Sequence, residues 1–172
     1  MKKQFLSICL TLLTTVIMAQ NSTQTAFKVE EKQMDAITMV YYNYTGAYMH
    51  SFDEFGQLMG YIQQNQIPMG SYTLGVFYDD PATVSEAQLR SEAGFMVAKQ
   101  VDVSGKYKCK TIPAGKVVSV RYKSMDEIMA AYEALSKYIA EKQLKTKEFS
   151  VEIYYSADPS VVDAEVLMYI EG

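Results

Sequence analysis

Residues 149–159 read Phe-Ser-Val-Glu-Ile-Tyr-Tyr-Ser-Ala-Asp-Pro, and residues 72–81 read Tyr-Thr-Leu-Gly-Val-Phe-Tyr-Asp-Asp-Pro. Each segment is rich in aromatic and β-branched residues and ends at an Asp-Pro pair, which is typical of a strand followed by a turn. Amphipathic runs precede both segments; one opens with Ser-Phe-Asp-Glu at 51–54 and the other with Ser-Met-Asp-Glu at 124–127. The serines lie 73 residues apart and the Asp-Pro pairs 78, so the spacing is kept to within a short loop insertion. The sequence therefore predicts an internal duplication.

Each copy is predicted to fold as strand, helix, strand, strand. Ser51 with Glu54, and Ser124 with Glu127, have the spacing of a capping box, so we expect a helix to start at each serine. The predicted strands cover 39–48, 72–78 and 94–101 in the first copy, and 116–122, 149–155 and 164–170 in the second.

The two copies are expected to form one domain of the α+β class. Either copy alone would expose one face of its sheet and the apolar stripe of its helix. We therefore expect both units, related by a pseudo-twofold axis, to share one antiparallel sheet with the two helices on one side and a groove between them. The domain would span 38–171, with a first half at 38–101, a connector at 102–115 and a second half at 116–171.

The amino-terminal residues predict an export signal. Lys2 and Lys3 precede an apolar run that is too short to span a bilayer, so residues 1–20 are interpreted as a secretory signal peptide. Residues 21–37 are predicted to be a polar tether. We expect an exported protein, periplasmic or extracellular, with no membrane contact beyond the signal.

Composition excludes several classes of function. The net charge is −4, and −6 without Lys2 and Lys3, which argues against a nucleic-acid surface. The single histidine and the few cysteines cannot build the usual zinc sites, although a site made only of carboxylates stays open. The common nucleotide-binding and hydrolase motifs do not occur. We expect no metal, no cofactor and no nucleic-acid partner; the oligomeric state stays open.

The two copies differ at Glu152, an acidic residue whose equivalent in the first copy is not acidic. Aligning Tyr78 with Tyr155 pairs Glu152 with Gly75, and shifting the register by one residue pairs it with Leu74. Either way, the symmetric partner of a carboxylate is not acidic. A carboxylate between two apolar strand residues is unfavourable to desolvate unless something compensates it.

Two interpretations of Glu152 follow from strand alternation. Ser150, Glu152 and Tyr154 share one face of their strand, and this face is either the solvent side or the floor of the groove. A single carboxylate in an aromatic groove would bind an organic cation, by charge attraction and by contact with aromatic faces.

The sequence resembles the GyrI-like effector-binding domain. The resemblance rests on the duplicated unit and on three segments: 75–81, Ile-Pro-Ala-Gly at 112–115, and Glu-Ile-Tyr before Asp-Pro at 152–159. That family includes the ligand-binding halves of multidrug-responsive and AraC-type transcription regulators. The resemblance implies that the glutamate of the Glu-x-Tyr motif, here Glu152, contacts cationic aromatic ligands at the base of a pocket. Tyr154, Tyr78 and Phe77 match the family's aromatic positions.

Other aromatic residues of the strands are also expected to line the groove, since the fourteen tyrosines and seven phenylalanines cluster there. The complete set of predicted ligand-binding residues is Glu152, Tyr154, Tyr78, Phe77, Tyr44, Tyr48, Phe95 and Tyr169.

Three hypotheses for function stay open. The first is an exported, non-catalytic protein that binds an amphipathic aromatic or cationic small molecule between the two halves. The second is a hydrolase: the resemblance includes stand-alone proteins that open reactive cyclopropane-containing compounds, and Glu152 would then act as general base with a tyrosine as donor. The third is a non-catalytic protein whose groove binds a protein partner. Regulators of the family carry a DNA-binding module, and none is expected here.

Overall fold

The computed structural model describes residues 27–156, 158 and 160–171, so the predicted signal peptide lies outside the described residues. None of the helices in this part of the chain combines the length and the apolar character needed to cross a membrane. The helices and strands are β1 Glu30–Met34, β2 Ile37–Thr45, α1 Phe55–Gln64, β3 Met69–Phe77, β4 Arg90–Val97, β5 Lys108–Ile112, β6 Gly115–Tyr122, α2 Ile128–Lys142, β7 Thr146–Tyr154 and β8 Ala164–Ile170.

All eight strands form one antiparallel sheet, in the order β1-β6-β8-β7-β3-β4-β2-β5. Cross-strand partners share a face of a sheet, and one row of partners runs from Ala93 through Gly75, Glu152 and Val166 to Val120. The α1 helix packs at the Ala93 end of this row and α2 at the Val120 end. The predicted α+β fold, with both helices on one side of an antiparallel sheet, is confirmed.

The outermost strands are exchanged between the halves, which the sequence did not predict. Strand β1 precedes the first half yet pairs with β6 of the second, and β5 precedes the second half yet pairs with β2 of the first. The predicted tether at 21–37 and connector at 102–115 are therefore wrong where they cover these strands. Both strands carry charged residues, and Ile112 is their one buried residue, so they lack the apolar alternation that marks a strand in sequence.

Both helices begin later than their capping boxes predict. The Ser51 hydroxyl is buried and hydrogen-bonds the Ser91 hydroxyl at 2.8 Å, so it does not cap a helix, and α1 starts only at Phe55. In the second half the Ser124 hydroxyl does accept from a backbone amide, at 3.4 Å, but the turn that follows is a 3-10 helix and α2 starts at Ile128.

The face of the sheet without helices has its own core. Its buried residues come from strands far apart in the sheet, such as Met39 on β2, Ile153 on β7 and Val117 on β6, yet they form one cluster. Because no helix of the described chain covers this face, the sheet must bend around these side chains to bury them.

A groove between the two halves

A groove of about 690 Å³ lies on the helix side of the sheet, where the halves meet. Its walls are mainly aromatic and aliphatic, and its lining includes two aspartates but no Lys, Arg or His. The lining residues are Phe52, Phe55, Met59, Met69, Gly70, Ser71, Tyr72, Thr73 and Phe95 from the first half, and Met125, Tyr154, Ser156, Asp158, Val161, Val162 and Asp163 from the second.

Glu152 lies beside the pseudo-twofold axis, directly across the strand pair from Gly75. Symmetry-related residues must lie on the same face of the sheet, and Leu74 points to the other face. The alignment that pairs Glu152 with Gly75 is therefore the structural one. A Cβ atom on Gly75 would lie 2.6 Å from the Phe77 ring and 3.0 Å from the Phe52 ring. The glycine thus leaves room for aromatic rings next to the carboxylate.

The Glu152 carboxylate is 3% exposed and bound by three tyrosine hydroxyls. Tyr132 donates to Oε1 at 2.7 Å, while Tyr154 and, at 3.4 Å, Tyr122 donate to Oε2. None of the ion pairs formed by the described residues involves Glu152. The carboxylate is hydrogen-bonded but has no cation to balance its charge.

Burial controls the ionisation of this cluster. Desolvation raises the pKa of Glu152, and the hydroxyls of Tyr154, Tyr132 and Tyr122 oppose that rise only in part. Burial, with the nearby Glu152 charge as the next contribution, also raises the pKa of each of these tyrosines. The three hydroxyls therefore stay protonated at neutral pH and act as donors.

Tyr154 separates the carboxylate from the groove. Its ring lines the groove, edge-on to Phe52 at a centroid distance of 5.3 Å, and its hydroxyl reaches back to Glu152. Glu152 itself lies behind this ring and is absent from the groove surface. Among the described residues, no group of three His, Cys, Asp or Glu side chains is placed to hold a metal ion.

Some of the other predicted aromatic residues lie at or near the groove. Phe95 lines it and packs against Phe55, with ring centroids 4.9 Å apart. Phe77 and Tyr48 form a layer behind Phe52, with their ring centroids 4.8 Å from each other. The Tyr48 hydroxyl is engaged with the backbone of residue 79 and does not face the groove.

Three predicted residues are not part of the groove. Tyr78 and Tyr169 lie on the opposite face of the sheet, where Lys110 donates to the Tyr78 hydroxyl at 2.9 Å. Tyr44 lies on the helix side but packs beside α1, away from the groove lining. Tyr44 and Tyr169 were predicted from aromatic character in the strands, and Tyr78 from the family resemblance; neither specifies which face a side chain occupies.

Two of the donors to Glu152, Tyr132 and Tyr122, and most of the groove wall were not predicted from the sequence. Tyr132 and Phe55 lie on the apolar faces of α2 and α1. Both faces pack on the sheet, but they are wide enough to border the groove as well. The available signal was a tyrosine within an otherwise aliphatic helix face, since a buried hydroxyl needs a hydrogen-bond partner.

The sequence matches the GyrI-like small molecule binding domain over residues 27–171. The chain therefore belongs to the GyrI-like family, and the resemblance described above is confirmed. A curated relative, the DNA gyrase inhibitor of Serratia proteamaculans (strain 568), is 32% identical over 94 residues, which cover 52% of this chain. The match spans 58% of that relative's length.

Solved structures share the fold. The C-terminal domain of EcmrR superposes with a TM-score of 0.72 at 14% identity, covering 84% of this chain and 98% of that one. The structure of SAV2435 bound to tetraphenylphosphonium gives a TM-score of 0.56 at 15% identity, covering 84% of this chain and 94% of that one. These likenesses show that the chain shares the fold of these proteins.

Proposed function

We propose that the groove binds amphipathic organic cations that carry aromatic groups, with Glu152 as the charge partner. The observation that carries the proposal is the Glu152 carboxylate, buried without a cation behind an aromatic wall. A ligand of opposite charge would supply the missing compensation, and a groove of about 690 Å³ is within the usual range for drug-sized molecules.

The aromatic wall supports the same ligand class. Phe52, Phe55 and Phe95 lie close together in the wall of the groove, and Tyr154 packs edge-on against Phe52. Aromatic faces attract an organic cation and also bury its apolar groups. The fold neighbour SAV2435 was solved bound to tetraphenylphosphonium, which supports this choice of ligand class.

Direct contact with Glu152 requires Tyr154 to move. Its ring stands between the groove and the carboxylate, and Tyr132 and Tyr122 would still donate to Glu152 if the Tyr154 hydroxyl left. We infer that a cation displaces the Tyr154 hydroxyl from Oε2 and takes its place. The strand would stay fixed, because Glu152 is paired on both sides of β7.

Tetraphenylphosphonium and the neutral triphenylphosphine oxide test this proposal, since both present phenyl groups around one phosphorus atom. In a calorimetric titration of the protein, the cation should bind about tenfold to hundredfold more tightly than the neutral oxide, because a charge-assisted contact is worth roughly 1.5–3 kcal/mol. Equal affinities for the two compounds would contradict a charge-selective groove.

The hydrolase hypothesis can be tested on the same site. Glu152 has the raised pKa of a general base, and Tyr132 is a donor within hydrogen-bond distance of it. An aryl ester carrying a quaternary ammonium group would release its phenol if the site is catalytic. Turnover lost in Glu152→Gln would favour a hydrolase, whereas tight binding of the intact ester would favour a binding protein.

We also propose that the protein is exported and acts outside the cytoplasm, on the evidence of residues 1–20. The mature chain should begin close to Asn21. Terminal sequencing of protein from the envelope fraction checks this, and recovery of chains that retain Met1 in the cytosol would contradict it.

A further inference from the structure

The face opposite the groove carries the same three side chains in both halves. Each set comprises a lysine from the exchanged outer strand, a glutamate and a tyrosine that follows a central strand. The first-half set is Lys110, Glu92 and Tyr78, and the second-half set is Lys32, Glu165 and Tyr155.

Strand register shows that these sets are symmetry-related. Glu165 pairs with Ile153 as Glu92 pairs with Val76, its counterpart on the equivalent strand. In the second half, Lys32 and Tyr155 contact the Glu165 carboxylate at 2.5 and 2.7 Å. Both halves therefore keep this arrangement, so a neighbouring position at which the two halves carry different residues is informative.

Such a difference occurs at Tyr41 and Ser119. Tyr41 pairs with Gly94 on β4, and Ser119 pairs with Leu167 at the equivalent position on β8. The Tyr41 ring is buried with the Lys110 ammonium 5.1 Å from its centroid. A serine cannot fill that volume, and a cavity of about 420 Å³ lies beside Ser119.

The cavity has one polar group with an open acceptor position. The Ser119 hydroxyl is buried beside the Glu165 carboxylate, and within the described part of the chain its oxygen accepts no hydrogen bond. Glu165 and Tyr155 form the adjacent wall, with Lys32 beside them. A buried acceptor without a donor is unfavourable, so a ligand that donates to it would recover that energy.

The charged residues around the cavity are already paired. Lys28 contacts Glu30 at 2.6 Å, and Arg121 contacts Asp163 at 2.6 Å. Lys32 is held by Glu165. Because these cations have carboxylate partners, the cavity offers no unmatched charge and favours a neutral molecule over an acid.

We propose that this cavity is a second ligand site, which binds a small neutral phenol. The ring would occupy the space that Tyr41 fills in the first half, with Lys32 near its face as Lys110 is near the face of Tyr41. The hydroxyl would point inward and hydrogen-bond to Ser119. The site is independent of the groove, since it lies on the other face of the sheet.

The probe is p-cresol, which is the tyrosine side chain, titrated while amide NMR shifts are followed. Saturable shifts should appear at Glu30, Ser119 and Glu165, and p-cresol should bind about threefold to tenfold more tightly than toluene because of the extra hydrogen bond. Shifts confined to Phe52 and Tyr154 would place the ligand in the groove and overturn the proposal.

Two variants sharpen the test. Ser119→Tyr should fill the cavity and abolish binding, whereas Ser119→Ala should keep the cavity and lose only the preference for p-cresol over toluene. Glu152→Gln is the control and should leave p-cresol binding unchanged. If Ser119→Tyr does not fold, the NMR map and Ser119→Ala still decide: an unchanged preference in Ser119→Ala would overturn the assignment of the hydroxyl.

Discussion

At the scale of single residues, the site depends on one asymmetric pair, Gly75 and Glu152. These residues occupy equivalent positions and lie directly across from each other at the centre of the sheet. One supplies a buried charge and the other supplies space for the rings of Phe52 and Phe77. A symmetric pair of glutamates would place two like charges together, and a symmetric pair of glycines would leave no anchor.

The first prediction concerns the stability of Glu152→Gln. The folded-state pKa of Glu152 is raised by burial, so its protonated form stabilises the fold at low pH, and this contribution is lost as pH rises through the folded pKa. The free energy of unfolding of the variant should therefore equal that of the wild type near pH 4. At pH 7.5 it should be higher than that of the wild type by on the order of 1 kcal/mol. Paired thermal melts check this, and a constant difference across pH would contradict it.

The second prediction concerns Gly75→Ala. Its new methyl group would lie within 3.0 Å of two aromatic rings, so Phe77 and Phe52 must both shift. Overpacking of this kind destabilises a fold by about 1–3 kcal/mol, and the displaced Phe52 should also narrow the groove. Urea denaturation and a tetraphenylphosphonium titration measure the two effects. An unchanged midpoint with unchanged affinity would show that the space beside Gly75 has no role.

At the scale of elements, the exchanged strands β1 and β5 form the two edges of the sheet. Each is short, and each carries a lysine that pairs with a glutamate of the half it joins. Lys32 pairs with Glu165, and Lys110 pairs with Glu92. The charges of these strands thus serve two purposes. Exposed ones protect the sheet edges from further pairing, and inward ones fix the strand.

The third prediction concerns these lysines. Lys32→Met and Lys110→Met should each destabilise the fold by about 1–3 kcal/mol, because a glutamate shielded from water loses its cation. Lys28→Met is the control; Lys28 is 85% exposed, so the loss of its ion pair with Glu30 should leave the free energy of unfolding almost unchanged. Denaturant unfolding at pH 7 measures all three. Equal effects of Lys28→Met and Lys32→Met would show that the outer strands do not depend on these ion pairs.

The Lys32 effect should also depend on pH. Burial raises the pKa of Glu165, but the Lys32 ammonium and the Tyr155 hydroxyl outweigh it and hold the pKa below its usual range. The ionised carboxylate therefore stabilises the fold above its unfolded pKa, and this contribution is lost as pH falls through the folded pKa. The difference in the free energy of unfolding between the wild type and Lys32→Met should therefore become smaller as the pH falls through the folded-state pKa of Glu165.

At the scale of the whole molecule, most of the predicted fold followed from the internal duplication. Repeated segments gave the fold class, the pseudo-twofold axis and the importance of Glu152, because apolar alternation and asymmetry between copies can be read directly. Strands β1 and β5 could not be predicted this way: they are charged edge strands, and their partners lie in the other half. Pairing across such a distance leaves no local pattern.

The site was predicted less completely than the fold. Of the predicted residues, Tyr154 and Phe95 line the groove, while Tyr78 and Tyr169 lie on the opposite face of the sheet. Tyr78 and Tyr169 each lie three residues beyond a residue that faces the helix side, Gly75 and Val166, so strand alternation places both on the opposite face. Tyr132 was missed for a different reason, since its contact with Glu152 needs the packing angle of α2.

Glu152 is proposed to anchor organic cations in the groove. Calorimetric titration of tetraphenylphosphonium into the wild type, Glu152→Gln and Glu165→Gln tests this most directly, because both glutamates are buried but face opposite sides of the sheet. Affinity should fall about tenfold to hundredfold in Glu152→Gln and stay unchanged in Glu165→Gln. Wild-type affinity in Glu152→Gln, or the same loss in both variants, would contradict the claim.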